Sequence, residues 1–162
     1  MKPSIRRQLE DREEYKEVLY YFHGFFNREL FDGRLSPVVI YTGRPPGWKE
    51  GMEATIMTRC EPMVIYMPRE TPKQGLLHAL TILLHEMVHQ SLEEDWGNAW
   101  EPQGNLDRDG HGPIFRERAS QVGMINGGYG LEKELENTVK EELSRFLWMR
   151  KVARKKSGKG EG

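Results

Sequence analysis

Residues 76–92 read LLHALTILLHEMVHQSL, and the fold of the chain is organised around this stretch. Apolar side chains recur in it at spacings of three and four residues, which predicts a helix that is buried on most of its surface. His85 and His89 lie four positions apart, so their imidazoles leave the same face of that helix, one turn apart. The apolar set is Leu76, Leu77, Leu80, Leu83, Leu84, Met87 and Val88.

The residues just before this stretch indicate where the helix begins. Thr71 and Gln74 have the spacing of a capping box, in which the Thr71 side chain accepts a hydrogen bond from the backbone amide three residues on. Pro72 suits the first helical position, where no backbone donor is needed. We therefore expect Thr71 to cap the helix.

The pair of histidines is suited to binding a metal ion. Two imidazoles at this spacing can bind one tetrahedral zinc ion, at about 2.0–2.1 Å each. Glu86 lies next to His85, close enough to a metal-bound water to act as its general base without being a ligand. A catalytic zinc has three protein ligands and one open position, so a third ligand is needed from another segment. A helix with two ordinary histidines is the alternative interpretation.

The third ligand has several candidates. His111 lies at the entrance of a helix predicted from Pro113 to about Val122, which Gly123 ends. Imidazole suits zinc, and the glycines on both sides of His111 allow close backbone approach. A carboxylate is chemically acceptable as well, so the residues alone favour His111 without excluding an acidic ligand. The acidic candidates are Glu101, Asp107, Asp109 and Glu117.

Four other segments complete the predicted α+β architecture. Residues 11–30 have an aromatic stripe of helical period and predict a first helix. Short β-rich runs at 38–41, 54–58 and 63–67 predict a small three-stranded sheet. Residues 131–152 predict a last amphipathic helix. We expect the histidine helix to pack with the other helices against this sheet.

Residues 93–112 show no periodicity and predict a long irregular loop that frames the site. Trp96 and Trp100 in this loop either form a wall of a substrate cleft or cover the core. Tyr129, on a glycine-rich turn, either reaches the cleft as an oxyanion partner or serves in packing or exposure. His78 lies about 10 Å along the helix axis from His85, too far to share an ion.

Composition indicates a polar globular protein, with 37% hydrophobic and 30% charged residues in a chain of 162. This length fits one main domain, which we place at 1–130, followed by a C-terminal helix and basic tail at 131–162. The single cysteine, Cys60, excludes an internal disulfide and a cysteine-rich zinc ribbon. The charged amino terminus predicts no secretory signal, and we expect a cytoplasmic protein with no membrane contact.

Charge is distributed unevenly along the chain. Residues 145–162, here called the basic tail, contain seven basic residues and one acidic residue, whereas the remainder contains 17 basic and 24 acidic residues. A basic tail on an acidic body suggests an anionic partner such as DNA, although a solvated helix end is the alternative. Trp148 offers a surface for base stacking. The candidate nucleic-acid contacts are Arg150, Lys151, Arg154, Lys155 and Lys156.

Three separated motifs give the chain a family likeness. They read NRELFDGRL at 27–35, HEMVH at 85–89 and DGHGPIF at 109–115. Their order and content resemble the SprT-like family of zinc metalloproteases, over about residues 20–123. The resemblance implies a compact zincin-type fold.

The resemblance also implies a ligand set. It places one zinc ion per chain on His85, His89 and His111, with Glu86 as the catalytic acid and base. Ile114 departs from the family, whose members often carry glutamate at this position. The change leaves the three ligands intact but removes a side chain that could contact one of them. A helix and a basic tail stand where the bacterial namesake has a cysteine-rich zinc ribbon.

The function implied by the resemblance is zinc-dependent endopeptidase activity with a metal-activated water. The substrates would be DNA-associated or DNA-crosslinked proteins, with DNA contact through the basic tail and a location in the cytoplasm, nucleoid or nucleus. The alternative is a zinc-stabilised nucleic-acid-binding module without proteolysis. Glu86 favours the endopeptidase, because a structural zinc site needs no base and is normally closed by a fourth ligand.

Overall fold

The computed structural model describes the backbone of residues 5–97 and 111–159 and the side chains of residues 12–97 and 111–156. In this part of the chain, four helices and a small sheet form an α+β architecture. The predicted α+β class is confirmed. The helices are α1 (Ile5–Leu30), α2 (Leu76–Trp96), α3 (Pro113–Gln121) and α4 (Lys133–Lys159). The strands are β1 (Val39–Tyr41), β2 (Thr55–Met57), β3 (Val64–Tyr66), β4 (Met124–Ile125) and β5 (Gly130–Leu131).

The three predicted strands form one mixed sheet in the order β1-β3-β2. Strand β1 runs parallel to β3, and β2 runs antiparallel to it. Ile65 at the centre of β3 pairs with Ile40 on one side and Ile56 on the other, which places apolar side chains on the face towards the helices. Strand β2 is therefore an edge of the sheet, and it contacts α2.

Helix α2 lies at the centre of the fold, in contact with α1, α3 and β2. Its predicted apolar side is confirmed, because Leu80, Leu84 and Val88 have no exposed surface. Phe22 and Phe26 of α1 are also fully buried in the same core. Burying one such side chain stabilises a fold by about 1.5–3 kcal/mol, so the orientation of α2 about its axis is strongly constrained.

The predicted start of α2 is wrong. Residues Thr71–Gln74 form a separate 3-10 turn, Gly75 follows with a φ of +104°, and the α-helix begins at Leu76. The Thr71 hydroxyl donates to the backbone carbonyl oxygen of Glu53 at 2.6 Å instead of capping the helix. A tertiary contact to the segment before β2 therefore replaces the local capping bond.

The predicted loop begins later than expected, because α2 continues to Trp96. Its last turn is held by side chains from other segments. Glu94 accepts a hydrogen bond from the backbone amide of Ser36 at 3.0 Å, and Asp95 pairs with Arg118 at 2.8 Å. Residues 98–110 of the predicted loop, which include Trp100, Glu101, Asp107 and Asp109, lie outside the described residues.

The region after α3 differs from the predicted arrangement. Helix α3 ends at Gln121 and Gly123 follows with a φ of +92°, as expected for a helix stop. Strands β4 and β5 then form a short hairpin, so Leu131 pairs with Met124 instead of starting the last helix. Helix α4 begins at Lys133 and extends beyond the predicted end at residue 152.

Helix α4 packs along α1. The ring centroids of Tyr21 and Phe146 lie 4.5 Å apart, the Tyr21 hydroxyl donates to Glu142, and Arg150 forms an ion pair with Glu17. The division of the chain at residue 130 stays a prediction. Within the described residues, none of the helices combines the length and the apolar character needed to cross a membrane.

A buried histidine between α1 and α2 predicts a pH-dependent stability. His23 is 7% exposed and its Nε2 lies 2.9 Å from Oε1 of Gln90. Burial lowers the pKa of His23, while the bond to Gln90 and the charge of Glu94 oppose that shift. Because the unfolded chain then binds a proton at higher pH than the folded chain, the free energy of unfolding falls as the pH drops below about 6.5.

We expect the His23→Gln variant to lose the part of the pH dependence of the free energy of unfolding that comes from His23. Urea unfolding in EDTA should show a wild-type free energy that falls more steeply between about pH 7.5 and 5.5, by up to about 1.4 kcal/mol per pH unit for one proton. EDTA keeps metal binding by other histidines out of the comparison. Parallel profiles for the two proteins would contradict the prediction.

Candidate metal centre

The structure brings three histidines together on one side of α2. His85 and His89 leave the same face of the helix, and His111 comes from the residues just before α3. The Nε2 atom of His111 lies 2.9 Å from Nε2 of His85 and 3.1 Å from Nε2 of His89. Candidate ligand atoms of all three residues lie within 4.8 Å of one another.

The spacing of these nitrogens fits a single small metal ion. Two nitrogens that each lie about 2.0–2.1 Å from one tetrahedral ion are about 3.3–3.4 Å apart, close to the observed separations. Nε2 of His111 faces two nitrogens at once, and a single proton can bridge only one of these pairs. The three residues are therefore placed so that one cation could bind all of them.

The placement of the third histidine favours His111 over the carboxylate Glu117. Glu117 is exposed on α3 and does not belong to the cluster of possible ligands found among the described residues. The other acidic candidates, Glu101, Asp107 and Asp109, lie outside the described residues. Sequence spacing favoured His111 without excluding a carboxylate, and the packing of α3 against α2 brings His111 to the other two histidines.

A backbone carbonyl orients the first histidine. Nδ1 of His85 lies 2.7 Å from the carbonyl oxygen of Gly128, in the turn between β4 and β5. A carbonyl oxygen only accepts hydrogen bonds, so Nδ1 carries the proton and donates it. On a neutral ring this leaves the Nε2 lone pair directed at the cluster, which is the usual arrangement of a metal-binding histidine.

Aromatic rings enclose the cluster on two sides. The fully buried Phe115 ring lies 4.4 Å from the ring of His89 and 4.9 Å from that of His85, measured between centroids. On the exposed side, the Tyr129 ring lies 4.7 Å from that of His85, and its hydroxyl oxygen lies 3.4 Å from Nδ1 of His111. Tyr129 therefore reaches the cleft, and its suggested role as an oxyanion partner stays a prediction.

Glu86 lies on the same cleft as the histidines and is 6% exposed. Burial raises the pKa of its carboxyl group to about 8, because the charged form loses hydration. A cation held by His85 and His89 would favour the carboxylate form and oppose this shift. Burial and a bound cation would thus act on the pKa of Glu86 in opposite directions.

An open cleft of about 460 Å³ lies in front of the cluster. Its floor is α2, and one wall is the strand segment that leads into and includes β2. His78 does not join the cluster; its Nε2 lies 2.9 Å from Oε1 of Glu53, a residue of that wall. Trp96 is about half exposed at the end of α2 and is not among the described lining residues, and Trp100 lies outside the described residues.

The five predicted nucleic-acid contacts fall into two groups. Arg150 and Arg154 form ion pairs with Glu17 and Glu14 of α1, the second at 3.8 Å. The lysines of the set are exposed, as is Trp148, with 64% of its surface accessible. Arg150 is partly buried and Arg154 is exposed, so the two arginines pair with α1 at the surface of the molecule, while Lys151, Lys155 and Lys156 face outward.

Comparison of the chain with protein-family models, with curated proteins and with solved structures finds no match. Functional assignment therefore depends on the geometry of the cleft and on the motifs of this sequence.

We predict that the wild-type protein binds about one zinc ion per chain and that His111→Ala weakens this binding severely. Loss of one of three imidazoles should cost more than the roughly 10- to 100-fold typical of changes around a ligand. Competition with a chromophoric chelator measures the affinity. His78→Ala removes an imidazole outside the cluster and should bind zinc like the wild type. Equal affinity of His111→Ala and wild type would exclude His111 as a ligand.

Proposed function

We propose that this protein is a zinc endopeptidase of the SprT-like, zincin type. The observation that carries the proposal is the convergence of three imidazole Nε2 atoms on a cleft that also contains the buried carboxyl group of Glu86. The motif resemblance to SprT-like proteases supports the same ligand set. We propose zinc as the ion because zinc prefers imidazole ligands in four-coordinate sites.

The form of the site favours catalysis over a structural role. Structural zinc sites are normally closed by four protein ligands, whereas catalytic sites have three and an open position. Among the described residues the cluster consists of His85, His89 and His111. All three line the open cleft, so a substrate can approach them from solvent.

Zinc, when bound, acts as a Lewis acid and lowers the pKa of a coordinated water to about 7. Glu86 takes a proton from the attacking water, whose oxygen adds to the peptide carbonyl carbon. The carbon–nitrogen bond then breaks, and Glu86 passes the proton to the departing amine. The hydrogen bond from His85 to the Gly128 carbonyl keeps the ligand ring in the required tautomer.

The sheet edge beside the cleft supports a peptide substrate. Strand β2 is the edge strand next to α2, and Ala54, Thr55 and Ile56 line the cleft. An extended peptide can add to such an edge as a further strand, which binds main chain of any sequence. A peptide bound there passes in front of the histidine cluster. We therefore propose an extended polypeptide segment as the substrate.

The outward lysines support action on proteins associated with DNA. Lys151, Lys155 and Lys156 are exposed on the last turns of α4, and Trp148 lies one turn before them. Lysines neutralise phosphates, and an exposed indole stacks on bases. Contact with DNA through this surface would bring DNA-associated or DNA-crosslinked proteins to the cleft.

We expect Glu86→Gln to bind zinc like the wild type and to lose proteolysis by roughly 10²–10⁴-fold, because the amide cannot accept the water proton. Cleavage of a DNA-bound basic protein, with and without DNA, measures the activity. Glu117→Gln, which changes an exposed carboxylate outside the cluster, is the matched control. Undiminished cleavage by Glu86→Gln would remove its assigned role. A zinc-loaded wild type that binds DNA and cleaves nothing would support the binding module instead.

We also expect exchange of the three outward lysines for glutamine to weaken DNA binding. The slope of log K against log salt should decrease by roughly 2–3, since each phosphate contact contributes about 0.7–0.9. Exchange of Arg150 and Arg154 for glutamine should change that slope less and should lower the free energy of unfolding. A folded double-arginine variant that loses as much DNA affinity as the lysine variant would contradict this separation.

A further inference from the structure

We propose that Gly128 and Tyr129 form a positioning pair that sets the metal affinity of the cluster by holding two of its ligands in place. Gly128 contacts His85 and Tyr129 contacts both His85 and His111. Neither residue belongs to the cluster of three histidines, and both lie in the turn between β4 and β5. The inference rests on the proposed metal centre and identifies what orients its ligands.

The approach of Gly128 to His85 requires a glycine. A Cβ atom at position 128 would lie 2.8 Å from Cε1 of Phe115 and 3.3 Å from Nδ1 of His85. The residue also has a φ of +98°, a conformation that other residues rarely adopt. Any side chain would therefore push the carbonyl group away from the imidazole or displace Phe115 beneath the cluster.

Tyr129 holds the exposed side of the cluster. The Tyr129 hydroxyl oxygen lies 3.4 Å from Nδ1 of His111, and when an ion occupies Nε2 of His111, Nδ1 carries the proton and donates to that oxygen. This hydrogen bond is long and therefore weak. The ring adds contacts of its own, at 4.7 Å from His85 and 5.7 Å from His111 between centroids. Both the hydroxyl and the ring restrict the rotation of the ligands.

The protein core fixes the turn that carries this pair. The backbone amides of Gly128 and Tyr129 both donate to the carbonyl oxygen of Ile125, at 3.1 and 3.2 Å. The hairpin beneath the turn is closed by the pairing of Met124 with Leu131, and both of those side chains are buried. The Gly128 carbonyl is thus positioned by packing, independently of a bound ion.

The test compares zinc affinities of the full-length wild type and four variants by competition with a chromophoric chelator. Gly128→Ala should lose about 10- to 100-fold in affinity, as is typical when a partner of a ligand is disturbed. Gly127→Ala is the matched control, because it introduces the same side chain at a φ of +68° but meets only Arg116 among the described residues, at 3.7 Å. Its affinity should stay within a few-fold of the wild type.

The Tyr129 variants separate the hydroxyl from the ring. Tyr129→Phe should lose less affinity than Tyr129→Ala, which removes both contacts. Histidine ring nitrogen NMR of the metal-free protein provides a second measurement. The wild type and Gly127→Ala should show His85 protonated at Nδ1, and Gly128→Ala should show a mixture of tautomers. Thermal unfolding in EDTA establishes that each variant is folded.

Several outcomes would overturn the proposal. Wild-type affinity in both Gly128→Ala and Tyr129→Ala would show that the pair does not position the ligands. Equal losses in Gly127→Ala and Gly128→Ala would assign the effect to backbone strain in the turn. If Gly128→Ala does not fold, wild-type affinity in Tyr129→Ala overturns the proposal, and reduced affinity supports it. A wild type that binds no zinc would remove the metal centre itself, which distinguishes that failure from failure of the pair.

Discussion

The position of the site depends on one constraint, the burial of α2 on most of its surface. Leu84, Met87 and Val88 are fully buried, and they alternate along the helix with the residues that face the cleft. Rotating α2 to move His85 or His89 would expose these apolar side chains to water, which costs about 1.5–3 kcal/mol for each of them. The core therefore keeps His85 and His89 on the side of α2 that faces the cleft, whether or not an ion is present.

Polar side chains on a buried helix need hydrogen-bond partners within the protein in place of water. Gln90 contacts His23 and donates to the backbone carbonyl of Ser36, and the Ser91 hydroxyl donates back to the helix at Val88. Glu86 differs from these residues, since burial raises its pKa strongly. Strongly perturbed carboxyl groups in clefts are typical of functional sites, because burying a charge has no structural benefit by itself.

Charge is also organised by packing at the far end of the molecule. Arg150 and Arg154 pair with acidic residues of α1, so part of the positive charge of the basic tail contributes to holding α4 in place. The same helix presents its lysines and Trp148 to solvent. A charge count along the sequence treats all of these residues alike, whereas the structure shows Arg150 and Arg154 in ion pairs with α1.

The sequence by itself determined the helix around His85 and His89, the three short strands and the stop of α3 at Gly123, because each depends on spacing between near neighbours. It misassigned Thr71, whose hydroxyl bonds to a segment distant in the chain, and it did not predict the two-residue strands β4 and β5, which are too short for a recognisable period. Only the tertiary structure brought His111, Gly128 and Tyr129 to the histidine pair. Contacts between segments far apart in the chain depend on how helices and hairpins pack, and the periodicity of near neighbours does not predict that packing.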